Sequence, residues 1–390
     1  MTDSKFRRLP VGIQSFKVIR EENYLYVDKS DIVWNMVNLG DKYNYLSRPR
    51  RFGKSVLVDT LESYLEGRKD LFEGLKIMQL EKDWKQYPVI RLDMSRGGAS
   101  EDTLRSYLNL RFKDYEEKYN ITPDPTAMLA DRFHAIIATA YKQTGLRVAV
   151  LIDEYDSPLQ HSWRTPEHEK CTGVYREVFA ILKADDEYEQ FIFITGITKF
   201  TQISLFSVLN NLSNISFDAP YATICGISKQ EAADNFMPEI EAMGEENGWT
   251  PEETLKQLTA YYDGYHFCRK NMVDIFNPFS LINALDDREL RNYWASSGAT
   301  SLLPKFVDDM EMKMEYFDHC FIECDTLETS DVVNGGAELF LYQSGYLTIK
   351  GYDDGVYILG FPNFEVRKAL YRVVVPALTA EKTTQRGWRW

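Results

Sequence analysis

Apolar positions along this 390-residue chain change their period from one segment to the next. Val56, Leu57, Thr60, Leu61, Tyr64 and Leu65 recur at helical spacing, which predicts a helix over Ser55–Glu66 with Gly67 as its C-cap. Tyr43–Ser47, just upstream, reads as a short strand, and Pro88–Met94 (PVIRLDM) as a second. Ser100 then caps a helix whose first turn holds Glu101 and Asp102, where the helix dipole favours acids. A further helix is expected over roughly Thr126–Gln143, ending near Gly145. Arg147–Ile152 (RVAVLI) is almost continuously apolar, the mark of a strand buried on both faces. A helix at about Glu167–Ala184 leads to a buried strand at Phe191–Thr195 (FIFIT), and Thr223–Cys225 (TIC) is expected as a last short strand.

Strands alternating with helices imply an α/β fold, a parallel sheet with flanking helices. After Ser228 the pattern turns helical, through KQEAADNFMPEIEAM and PEETLKQLTAYY to about Asn277–Tyr293. YLTIKGYDDGVYILGF then gives two strands about an Asp353-Asp354-Gly355 turn, and a helix is expected at Phe364–Val374. The pattern divides the chain into an α/β unit over 1–228, a helical lid region over 229–300 and a small winged-helix-like unit over 301–390.

Composition narrows the class. Hydrophobic residues make 44% and charged residues 27%, a globular balance, and abundant aromatics (24 Tyr, 22 Phe) argue against long disordered stretches. Asp and Glu total 59 against 45 Lys and Arg, a net charge of −14, which disfavours nonspecific binding to nucleic acid or membrane. The first residues lack the apolar stretch of a signal peptide, and no long uninterrupted apolar window suggests a membrane helix. The five scattered cysteines suit a reducing cytoplasm better than a disulfide framework.

Two motifs carry chemistry. Gly53-Lys54-Ser55 ends a phosphate-binding loop, although Arg48 stands where the first glycine of G-x-x-x-x-G-K-[ST] belongs. The strand before it and the amphipathic helix after it supply the context such a loop needs. Arg48, Pro49, Arg50, Arg51, Phe52, Gly53, Lys54, Ser55 and Val56 are therefore the expected nucleotide cradle. Loop amides and the helix N-terminus would hold phosphate oxygens, Lys54 would reach the terminal phosphates, and the Ser55 hydroxyl would ligate Mg²⁺. Independently, Val148–Asp156 (VAVLIDEYD) is a buried strand ending in acids, the Walker B pattern. Asp153 would hold Mg²⁺, directly or through water, and Glu154 would orient or deprotonate the attacking water. In P-loop ATPases with an extra central strand, a polar residue at that strand's end senses the γ-phosphate; Thr195 is the candidate, with Thr198 and Lys199 behind it. Asp28-Lys29 is placed for adenine or ribose contacts, and YYDGYHF (Tyr261–Phe267) reads as packing around a turn in preference to a nucleotide lid. His319, Cys320 and Cys324 lack the second pair of ligands that a zinc site needs.

The segments GIQSFKVIREENYLYVDKSD, YLSRPRRFGKS, LIDEYDSPL, FITGITKFTQISLFSVLNNLSNIS and YATICG together resemble the bacterial AAA-ATPase-like family. The resemblance covers about residues 6 to 228 and extends more loosely to YLTIKGYDDGVYILGFPNFEVRKALY. In that family the loop commonly reads S-R-P-R-R-F-G-K-S, so the resemblance makes Arg48 a family variant and not an erosion. It implies ATP binding at Gly53, Lys54 and Ser55 with Asp153 and Glu154, in a fold akin to the STAND and AAA groups. Family members often carry a PD-(D/E)XK nuclease domain at the C-terminus. The Glu311–Lys313 Glu-x-Lys lies in a polar helical pattern instead of on a strand, so no nuclease activity is expected. The expected function is an ATP-binding, Mg²⁺-dependent ATPase acting as a regulatory switch. The alternative is a nucleotide-holding scaffold, or a module binding a protein partner or DNA. Oligomeric state and partner are not legible in the sequence.

Overall fold

In the computed structural model, residues 7–124, 126–199, 212–296, 317–330 and 335–372 are described. The Glu311–Lys313 stretch and the last two positions of the helix expected at Phe364–Val374 lie outside them. A five-stranded parallel sheet forms the centre, from β1 (Tyr43–Ser47), β2 (Val89–Asp93), β3 (Val148–Asp153), β4 (Glu189–Gly196) and β5 (Ser213–Asn214). Their spatial order is β2-β3-β4-β1-β5. β4 thus lies between the strand that leads into Gly53-Lys54-Ser55 and the strand that ends in Asp153. Every residue of β3 is buried, which is why its sequence shows no polar alternation. The helix Lys54–Leu65 packs on β2 and β3, and the helix Leu129–Thr144 also packs on β3.

The expected strand at Thr223–Cys225 is not formed. The sheet's fifth strand is Ser213–Asn214, pairing with Asn44 and Tyr45 of β1, and the pairing near the cysteine begins only at β6 (Ile227–Ser228), antiparallel to β7 (Ile275–Phe276). Gly226 has φ +99°, a left-handed turn that separates the apolar Ile224-Cys225 pair from β6.

Two cores organise the described residues. The larger one continues from the parallel sheet into a three-stranded antiparallel sheet, order β8-β10-β9, made by β8 (Cys320–Glu323), β9 (Thr348–Asp353) and β10 (Val356–Gly360). Helices Cys324–Thr329 and Gly336–Ser344 accompany it. The second core holds Phe236, Ile240, Leu258, Leu281 and Leu285 from helices Lys229–Asn247, Pro251–Tyr262 and Pro278–Asp287. Capping boxes at Ser228/Glu231 and Thr250/Glu253 start the first two of these helices. Pro238 sits inside the first and kinks it at Phe236, where a proline removes a backbone donor. Among the described residues no helix is long and apolar enough to cross a membrane.

Candidate functional site

The loop from Arg48 to Gly53 joins the carboxyl end of β1 to the helix Lys54–Leu65. Gly53 is that helix's N-cap at φ +83°, a left-handed conformation that glycine adopts without steric penalty. It offers no side-chain acceptor, and the amides of the first turn have none within the helix, so this helix start is suited to an anion. Arg51 is also left-handed, at φ +67°.

Lys54 is 4% exposed. Its Nζ donates to the carbonyls of Arg48 (3.0 Å) and Pro49 (3.1 Å) and stands 3.9 Å from Glu154 Oε1. The lysine therefore bridges the phosphate-type loop and the acid at the end of β3. Glu154 itself is left-handed, φ +50°, an uncommon state for a non-glycine residue. Burial pushes its carboxyl up from the ordinary range, against the opposing pull of Lys54. Asp153 is buried and likewise raised by burial, while a hydrogen bond with the Ser55 side chain and the charge of Lys54 pull it back. Asp93, at the end of β2, lies in register beside Asp153 and adds a second negative charge.

A cavity of about 550 Å³ opens at this loop. Arg50 to Leu57 form one wall, with Glu154. An apolar part of the lining comes from Val11 and Ile13 of the N-terminal segment and from Phe236, Phe279 and Ile282 of the helical core. Volume and lining fall in the range of small-ligand sites, roughly 300–1,000 Å³ and mostly apolar with a few convergent polar groups. The sequence offers Gly12–Gln14 within a family-like segment and the helix carrying Phe279, but marks neither as a cavity wall. Pro238 was the available signal for the second wall, since the kink it causes lies at Phe236.

Other expected residues have different places. Arg48 is 2% exposed and its guanidinium turns away from the cavity. It donates to the carbonyls of Ser47 (2.8 Å), Ser216 (2.9 Å) and Tyr221 (3.0 Å) and lies over the Phe267 ring at 4.2 Å. Pro49 packs so closely on Gly345 that a Cβ there would come within 2.5 Å of it. Phe52 is held edge-on by Tyr265 and Phe267, so the YYDGYHF segment is packing beneath the loop. Thr195 is fully buried, does not border the cavity, and donates its hydroxyl to Leu46 O at 2.7 Å. Lys199 donates its amide to Gln343 and its Nζ to Glu328 O. Asp28 accepts from the amides of Ser30 and Lys76, whereas Lys29 lines the cavity and pairs with Glu231 at 2.6 Å. Among the described residues no group of His, Cys, Asp or Glu side chains converges as a metal cage.

Asp156, the second aspartate of LIDEYD, has a structural role that the sequence does not announce. Its Oδ2 accepts from the amides of Ile197 (3.1 Å) and Thr198 (2.6 Å), from the Thr198 hydroxyl (2.6 Å) and from Gln160. Tyr155 adds a bond from its hydroxyl to Thr198 O at 2.8 Å. The acidic end of β3 and the turn after β4 are therefore tied together.

A parallel sheet with a central inserted strand, a glycine–lysine–serine loop opening a helix, and acids at the neighbouring strand end define a P-loop-like α/β fold. Residues 10–206 match the family described as "Predicted AAA-ATPase". The chain is also similar to an uncharacterized protein of the vnfD 5' region in Azotobacter chroococcum mcd 1, 32% identical over 375 residues. That alignment covers 93% of this chain and 69% of the relative. The chain belongs to this AAA-ATPase-like family, and membership supports nucleotide binding in general.

Proposed function

We propose that the protein binds ATP with Mg²⁺ and hydrolyses it, and that turnover serves as a regulatory switch. The observation that carries this reading is the placement of Lys54 Nζ within 3.9 Å of Glu154, at the wall of a 550 Å³ cavity. The Arg48–Val56 loop cradles the phosphates through the amides from Arg50 to Val56, while the carbonyls of Arg48 and Pro49 hold Lys54 in place. Lys54 exchanges its two loop carbonyls for phosphate oxygens, and the apolar part of the lining takes the base. The Ser55 hydroxyl and the Asp153 carboxylate, already bonded to each other, are hard oxygen donors of the kind Mg²⁺ takes alongside waters and phosphate. When bound, the ion neutralises charge on the β- and γ-phosphates. Glu154, its carboxyl raised by burial, accepts the proton of the attacking water. Thr195 reads the phosphate state through Leu46 O, the carbonyl it holds at the end of the loop strand.

The switch reading rests on packing. Lys199, in the turn tied to Asp156, is bonded to Gln343 and Glu328 of the C-terminal unit, and Phe236 and Phe279 of the helical core line the same cavity. We assign that helical core to a lid region (229–300) on the nucleotide unit (1–228), and the three-stranded sheet with its two helices to a winged-helix-like end (301–390). The tip of its hairpin carries Asp353 and Asp354, which favours a protein partner over a phosphate backbone. All five cysteines are free, which suits the proposed cytoplasmic location.

Calorimetry with MgATP and phosphate release test the reading together. Lys54→Ala is expected to lose ATP binding, and Glu154→Gln to keep binding while losing turnover. Equal ATP affinity in Lys54→Ala and the unmodified protein would sink it, and binding without turnover in the unmodified protein would leave only a nucleotide-holding scaffold.

A further inference from the structure

We propose that Arg50 is the arginine that stabilises the transferring phosphoryl group, supplied from within the same chain. This rests on the ATPase reading above. The loop offers three arginines at Arg48, Arg50 and Arg51, and the structure separates them. Arg48 is committed: three carbonyls and the face of Phe267 hold its guanidinium outside the cavity. Arg51 is exposed at the loop's left-handed corner, and its guanidinium lies over the Phe279 ring at 4.7 Å. It spans from the loop to the helical core.

Arg50 combines two features that the others show singly: like Arg51 it borders the cavity, and like Arg48 it has a buried Nε without a partner. It lines the cavity and is half-buried, and its Nε is enclosed without a hydrogen-bond partner among the described residues. A desolvated donor without an acceptor is costly, and an entering anion removes that cost. Its charge also acts on Glu154, the acid that Lys54 approaches to 3.9 Å. A cation there sits where negative charge develops during transfer. In that step the water oxygen bonds to the γ-phosphorus as the bond to the β,γ-bridging oxygen breaks. The electron pair leaves with ADP, the γ-group leaves as inorganic phosphate, and the water proton passes to the Glu154 carboxylate. Arg50 holds the equatorial oxygens of the transferring group through its planar fork, which Lys54, a point charge, does not reproduce.

ADP affinity, with and without aluminium fluoride as a mimic of the transferring phosphoryl, tests this in the unmodified chain, Arg50→Ala, Arg50→Lys and Arg51→Ala. The unmodified protein should bind ADP more tightly when aluminium fluoride is present. Arg50→Ala should lose about 100-fold of that enhancement, or all of it if smaller, while its ADP affinity stays within about threefold. Arg50→Lys should regain only part of it, and Arg51→Ala should retain it whatever happens to ADP affinity. Because the Arg50 Nε has no hydrogen-bond partner among the described residues, both Arg50 variants should melt with the parent, and Arg50→Lys decides the matter should the alanine variant fail to fold. Full enhancement in either Arg50 variant overturns the assignment. So does an equal loss of ADP and ADP–aluminium fluoride binding. An unmodified protein that binds ADP without any enhancement also overturns it, and leaves nucleotide binding standing. No ADP or ATP binding at all overturns the ATPase reading itself.

Discussion

Replacing Arg48 with glycine restores the usual phosphate-loop pattern, and the structure predicts that this makes the protein worse. The guanidinium supplies three hydrogen bonds of 2.8–3.0 Å to Ser47, Ser216 and Tyr221 and joins the β1 end to the segment after β5. Removing it leaves buried carbonyls short of a donor, at about 1–3 kcal/mol each. Loss of the contact with Phe267 adds about 1 kcal/mol and the glycine backbone up to about 1 kcal/mol more. Against this stands the relief of a buried charge: burial lowers the Arg48 pKa, and no carboxylate is among the groups that act on it. The net expectation is a loss of about 3–5 kcal/mol, a large part of the roughly 5–15 kcal/mol that holds an ordinary domain together. Urea unfolding followed by tryptophan fluorescence measures it, with Arg48→Met as a variant that keeps much of the volume and loses the donors. Arg48→Met should lose most of the same stability. If Arg48→Gly unfolds at the parent's urea midpoint and binds nucleotide more tightly, the guanidinium is dispensable and the structural role assigned here is wrong.

Glu189, fully buried with Tyr43 Oη 2.8 Å from its Oε2, has its carboxyl pushed up by burial from 4.5 to about 8. The folded state thus holds this proton more tightly than the unfolded chain, so its stabilisation is complete below about pH 4.5 and is lost as pH rises through about 8. Melting temperatures between pH 5 and 9 should fall in the parent and flatten in Glu189→Gln; equal slopes would remove Glu189 as the cause. Gly226→Ala should be destabilising by about 2 kcal/mol or more, since φ is +99° and the new Cβ meets Ile275 Cγ2 at 2.1 Å. A thermal melt within a degree of the parent would contradict that geometry.

The sequence by itself determined the alternation of strands and helices, the strand–loop–helix around Lys54 and the acids closing β3. Those features are local: buried strands need apolar runs, helices need a 3.6-residue stripe, and a left-handed N-cap needs a glycine such as Gly53. The hairpin at Asp353–Gly355 was legible for the same reason. The two-residue strand Ser213–Asn214 was not, because so short an edge has no periodicity and forms only by pairing with β1. Nor could the chain order reveal that Val11, Phe236 and Phe279 would meet at one cavity, since their approach is set by how the N-terminal segment and the helical core come to the loop. The arginines show the limit most plainly. Arg48, Arg50 and Arg51 are the same residue type within four positions, yet one holds distant carbonyls, one turns an unpartnered Nε to the cavity wall and one lies on Phe279. Loop dihedrals and partners from Ser216 to Phe279 made that division, and only the tertiary structure brings those partners to the loop.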